Sequence, residues 1–147
     1  MTITADYIRQ CKEAIEIQRE WKPQVGDYVW LPEEVRKWAH PHVFVHIKNG
    51  VFLFLGNWKI DNGVWLPQQD QLQKMVEWNW TAFYYFTGDI AYKEPSPYPT
   101  FPAVIFKTPE QLCLAFVMYK KYNKVWNEGK WVEYLHGGAH VPRGNEI

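Results

Sequence analysis

The chain has 147 residues and carries 16 basic against 16 acidic side chains, so it has no net charge at pH 7 with its histidines neutral. That length supports one domain with a substantial core. The charge balance argues against a dedicated duplex-DNA or membrane-surface protein, whose affinity rests on an excess of cations.

The opening stretch MTITADYIRQ lacks a basic-then-apolar leader, and no apolar run reaches the roughly 18 residues of a membrane span, so a cytoplasmic soluble chain is expected. Cys11 and Cys113 form no C-x-x-C pair and give neither a disulfide framework nor a zinc motif. Aromatic residues make up 18% of the chain, more than a small core hides, so some are expected to meet a partner or ligand.

The first predicted element is an amphipathic helix. Thr4 caps it, Asp6 lies in its first turn, and Tyr7, Ile8, Cys11, Ala14, Ile15 and Ile17 form its apolar stripe. Pro23 ends it. Gly26-Asp27 reads as a turn whose aspartate bonds its own backbone, leading into a strand from Tyr28 to Leu31.

In VFVHIKNGVFLFLG, Asn49-Gly50 is a type I′ hairpin signal, since both turn residues need positive φ. A two-residue loop sets Lys48 opposite Val51. The register then pairs Val45 with Phe54 and Ile47 with Phe52 on one face, and Phe44 with Leu55 and His46 with Leu53 on the other. With two apolar faces, the hairpin is expected at the centre of a sheet or against another chain. A second hairpin is expected around Asp61-Asn62-Gly63, between NWKI and VWLP. VWLP occurs at Val29–Pro32 and at Val64–Pro67, which suggests two strands leaving the sheet at equivalent edges, where proline is tolerated.

Pro67 then opens a helix with Asp70 near its start and Leu72, Met75, Val76 and Phe83 on one stripe. Gln68, Gln69, Gln71 and Gln73 occupy its exposed first turns. The helix is expected to continue through EWNWTAFYYF. Pro95, Pro97, Pro99 and Pro102 then impose an irregular segment that packs over a core. Thr108-Pro109-Glu110-Gln111 is a capping box, and the eight apolar residues Leu112–Tyr119 predict a helix buried on every side. A short hairpin follows, turning at Asn127-Glu128-Gly129 between Trp126 and Trp131. The expected fold is α+β, a mainly antiparallel sheet of hairpins packed with about three helices. It occupies a single domain over residues 1–136, with a flexible tail at 137–147. A closed small barrel with appended helices is the competing architecture.

The candidate sites are few. His40, His42 and His46 share a period of two, which on a strand points them to one face and suits a zinc or nickel ion and a metal-dependent activity. Pro41 argues that the strand starts after it. Trp78, Trp80, Tyr84 and Tyr85 form a candidate stacking set for a partner or single-stranded nucleic acid, which zero net charge disfavours. No nucleophile elbow, phosphate loop, dinucleotide fingerprint or calcium loop is present, so no catalytic residue and no cofactor is assigned. The expected activity is non-enzymatic binding of a host or phage macromolecule. A homodimer is expected, with the helix Glu110–Tyr122 or the Asn49-Gly50 hairpin in its interface.

Three blocks resemble a family of small prophage and phage proteins of Gram-positive bacteria. They are W-x-P-Q-x-G-D at Trp21–Asp27, L-P-x-Q-D-Q-L-Q at Leu66–Gln73 and E-Q-L-x-L-A-F-V-M at Glu110–Met118. They occur in the family's order and belong to segments that cover about half the chain. Gln68 stands at a position that is usually charged, and Cys113 where a larger residue is expected. The resemblance implies a phage-derived accessory role and carries over no catalytic residue.

Overall fold

The computed structural model describes residues 2–40, 42–56, 62–88, 97–98 and 106–134. The expected first arm of the second hairpin, most of the proline-rich segment and the tail from Gly137 lie outside the described residues. The fold is α+β and antiparallel, with six helical segments and six strands among the described residues. Two compact units are distinguished, Ile3–Gln68 and the chain from Gln69 onward.

The first unit begins with helix α1 (Ala5–Glu13), whose Thr4 hydroxyl accepts from the Tyr7 N–H at 3.1 Å. The single helix expected here is two. Ala14, at φ −81° and ψ 67°, interrupts it before α2 (Ile15–Glu20). The interruption changes the buried face: Tyr7, Gln10, Cys11, Ala14 and Ile17 are buried, while Ile15 is half exposed.

Strands β1 (Tyr28–Trp30), β2 (Phe44–Lys48), β3 (Val51–Phe54) and β4 (Val64–Leu66) form one antiparallel sheet in the order β2-β3-β1-β4, with the short helix α3 (Glu33–Arg36) following β1. The open order leaves β2 and β4 as edges, so these strands do not close into a barrel. The two VWLP copies do not sit at equivalent edges. They pair with each other, Val29 with Trp65 and Trp30 with Val64, with β1 inside the sheet. The Gly26-Asp27 turn is held from both sides: the Asp27 carboxylate accepts from Trp21 Nε1 at 2.8 Å and from the Gln24 N–H at 2.9 Å.

The hairpin turn is as expected, with Asn49 at φ 53° and Gly50 at φ 81°, and Lys48 lies opposite Val51. The rest of the register is shifted by one. Phe44 pairs with Phe54, Val45 with Leu53 and His46 with Phe52, and Ile47 is the extra residue of a bulge. The shift has a packing cause. It brings Phe44 onto Phe52 and Phe54, with ring centroids 6.0 and 5.6 Å apart, in a core cluster with Val29 and Leu31. The expected register would have left Phe44 on the opposite face from both. A bulge on an edge strand also blunts that edge against indiscriminate pairing.

In the second unit, the helix expected from Pro67 onward is again two. α4 (Gln69–Lys74) stops before Met75, and α5 (Trp80–Thr87) restarts under a new cap, with Asn79 Oδ1 accepting from the Ala82 N–H at 3.1 Å and Gly88 ending it at φ 83°. α6 (Pro109–Tyr122) has the predicted capping box, with the Thr108 hydroxyl accepting from the Gln111 N–H at 3.2 Å and Gln111 Oε1 accepting from the Thr108 N–H at 3.0 Å. A cap contributes about 1 kcal/mol. Full burial of Leu114, Phe116, Val117 and Met118, at about 1.5–3 kcal/mol each, outweighs it and fixes the helix in place. α4, α5 and the hairpin β5 (Lys124–Asn127) with β6 (Lys130–Glu133) pack around α6, so its own chain covers the apolar run. Asn123 joins helix to hairpin: it ends α6 at φ 54°, and its side-chain amide donates to the Tyr134 carbonyl at 2.9 Å. Trp126 and Trp131 pair across β5 and β6 as expected.

Gly50 has two reasons to be glycine. Its φ is positive, and a Cβ there would run into the Arg36 guanidinium, which lies over the turn. Gly50→Ala is expected to lower unfolding free energy by about 1–2 kcal/mol, measured by urea titration. An unchanged midpoint would mean the turn relaxes without cost.

Candidate functional site

The first unit carries a groove of ≈ 520 Å³ on the sheet face opposite the phenylalanine cluster. The alternation of β1 sends Tyr28 and Trp30 to this face while Val29 enters the core. Val51, opposite Trp30, and Ile47, displaced by the bulge, extend the floor. Ile3 and Ile8, at the start of α1, form the facing wall. Lys48, Asn49 and the Tyr28 hydroxyl are its polar lining groups, and no carboxylate lines it among the described residues.

Trp30 is the centre of this site. Lys12 Nζ lies 5.8 Å from its ring centroid and Arg36 Cζ 5.6 Å, both within cation–π range. Lys12 sits one turn after Ile8 on α1. Arg36 is fixed by donating from Nε to the Leu31 carbonyl at 2.6 Å. Sequence reasoning missed the groove because three separated segments build it. The local signals were a tryptophan in a short strand and two isoleucines outside the helix's deepest stripe.

The histidines divide. His40 and His42 lie together, with ring centroids 4.8 Å apart and the His42 N–H donating to His40 Nδ1 at 3.2 Å. His46 stands on β2 against the Phe52 ring, at 4.9 Å. Among the described residues no three His, Cys, Asp or Glu side chains are grouped to hold a metal.

The four aromatic candidates also divide. Trp78 packs on Phe83 and Phe116, at 5.0 and 5.1 Å, as part of the second unit's core. Tyr85 stacks on Tyr98 at 6.2 Å. Trp80 and Tyr84, one turn apart on α5, stay exposed with ring centroids 5.9 Å apart and planes tilted by 30°.

The glutamines of α4 are largely structural. Gln69 Nε2 donates to Glu110 Oε1 at 3.3 Å, and the Gln73 side chain bonds the Cys113 thiol. In the first unit, Gln68 Nε2 reaches the Gly26 carbonyl at 3.4 Å. Glu110 is buried beside the positive end of α6, which suits a carboxylate there. Burial pushes the Cys113 thiol up to about 11, against the bond from Gln73 and with the charge of Glu110 adding to the rise. Burial raises the Cys11 thiol further, against a bond with Tyr7. Both are thus protonated at neutral pH, and neither is a ready nucleophile.

Comparison of the chain with family models, curated proteins and solved structures finds no match. Among the described residues no helix is long and apolar enough to cross a membrane.

The thiol environments give a direct test. At pH 8, Ellman's reagent is expected to leave Cys11 and Cys113 unmodified in the native protein over an hour and to titrate both in guanidinium chloride. Fast native modification of either would show an accessible thiolate and reopen a nucleophilic role.

Proposed function

We propose that this protein works by binding another macromolecule and not by catalysis, in the phage accessory role that its three sequence blocks suggest. The observation that carries this reading is an apolar strip left open on the first unit. Val45 is 43% exposed, Ile47 51% and Leu55 36%. They belong to the β2–β3 hairpin and its margin. Val45 pairs with Leu53, and the Leu55 N–H bonds the Val43 carbonyl. Val45 and its partner Leu53 therefore share the face away from the phenylalanine cluster, against which Val43 packs. Contiguous exposed aliphatic side chains beside an edge strand suit an interface better than a free surface. The buried, unpaired cysteines suit a reducing cytoplasm.

The test is the double substitution Val45→Lys, Leu55→Lys. It is expected to move the melting temperature by no more than about 3 °C, since both sites are exposed. It should also abolish retention of whichever host or phage protein the unaltered chain captures. Retention unaffected by the double variant would contradict the assignment of this surface. Sedimentation of the two proteins tests the homodimer: a dimer that the substitutions dissolve identifies the partner as a second copy.

Trp80 and Tyr84 favour a second reading, single-strand nucleic-acid binding by base stacking. Each stacked base contributes about 1–3 kcal/mol, but the backbone also needs cations, and the first and last turns of α5 supply no basic residue. Titration with a short oligonucleotide at low salt is expected to quench tryptophan emission only if this reading holds.

A further inference from the structure

We propose that the Trp30 groove is a binding site for a small amphipathic organic anion, with an aromatic or aliphatic body seated on Trp30 and its charged group directed to Lys48. The site adjoins the partner strip through Ile47, which belongs to both, whereas Val45 and Leu55 do not line it. Two observations argue for this occupant. The first is size and lining. A volume of ≈ 520 Å³ falls within the roughly 300–1,000 Å³ of small-molecule sites. Its walls are Ile3, Ile8, Trp30, Ile47 and Val51, which offer burial to an apolar body and few hydrogen bonds.

The second is charge. Lys12 and Arg36 stand within 6 Å of the Trp30 ring centroid, and Lys48 lines the same groove as that ring. Among the described residues none of these three cations has a carboxylate partner. Two of the three are held: Lys12 is on a helix, and Arg36 is tied to the Leu31 carbonyl. Cations gathered beside an apolar floor, with no carboxylate among the described lining residues to neutralise them, favour an anion with an apolar body over a neutral or cationic one. A neutral ligand would gain the burial alone. A cationic ligand would meet like charge from Lys48.

The test uses two fluorescent probes of nearly the same shape: 1-anilinonaphthalene-8-sulfonate and its uncharged parent N-phenyl-1-naphthylamine. The intact chain is titrated with each at low salt, beside Lys48→Glu and Ile47→Asp, both at exposed positions. The sulfonate is expected to bind at one site, more tightly than the parent. Lys48→Glu is expected to weaken the sulfonate about fivefold or more and leave the parent unchanged, the scale of reversing a partly exposed charge pair. Ile47→Asp is expected to abolish binding of both. Val45→Lys, Leu55→Lys should leave both probes bound, which separates failure of this site from failure of the partner reading. Equal affinity for the two probes would overturn the proposal, as would sulfonate binding indifferent to Lys48→Glu or unsaturable binding at several sites.

Discussion

The first unit depends on one side-chain amide. Gln18 Oε1 accepts from the Trp65 N–H at 2.8 Å, and Gln18 Nε2 donates to the Trp65 carbonyl at 2.9 Å. The same Nε2 reaches the Cys11 carbonyl at 3.1 Å. The first two bonds are those a neighbouring strand would make, so Gln18 pairs with the outer edge of β4 as a one-residue strand. The third gives a second donor to the Cys11 carbonyl, which already accepts from the Ala14 N–H at 3.1 Å where the helix breaks. Trp65 is buried, and a buried backbone group without a partner costs about 1–3 kcal/mol, which makes this amide more than ornamental.

Much of the site geometry follows from that contact. With β4 paired, the helical pair α1–α2 is anchored along that edge, helped by the Tyr7 hydroxyl donating to the Pro67 carbonyl and by the Trp21 ring lying parallel to Trp65 at 6.0 Å. α1 packs against β4 and does not span the whole sheet face. The remaining face, over β1, β3 and the hairpin tip, keeps Tyr28, Trp30 and Val51 under a partial wall of Ile3 and Ile8. The two edges are treated differently. One is sealed by a side chain. The other carries a bulge and the exposed Val45 and Ile47.

What the sequence disclosed was local. Asn49-Gly50, the Thr108 capping box and the Asn127–Gly129 turn are written in residues whose φ requirement or side-chain reach is fixed within four positions. Each is found in the structure. The break at Ala14 is not readable that way, because neither Gly nor Pro marks it and a bond from four residues on compensates it. The break before Asn79 carried a signal, since asparagine is a preferred N-cap residue, but the aromatic run around it suggested continuity. The bulge at Ile47 depends on where the Phe44 ring finds partners. The groove depends on cations from α1 and α3 meeting one indole, with Lys48 of the hairpin lining the same cavity. The open histidine and aromatic sets each split in two, because sequence neighbours at one period were assigned to different surroundings by packing.

Hydrogen exchange at the Trp65 amide measures the central contact most directly, in the unaltered chain and in Gln18→Ala. On this account the amide is protected although it lies on an edge strand, and Gln18→Ala accelerates its exchange by at least about tenfold while the Val29 and Phe52 amides inside the sheet stay slow. Equal protection of Trp65 in both proteins would contradict the account, because something other than Gln18 would then be sealing that edge.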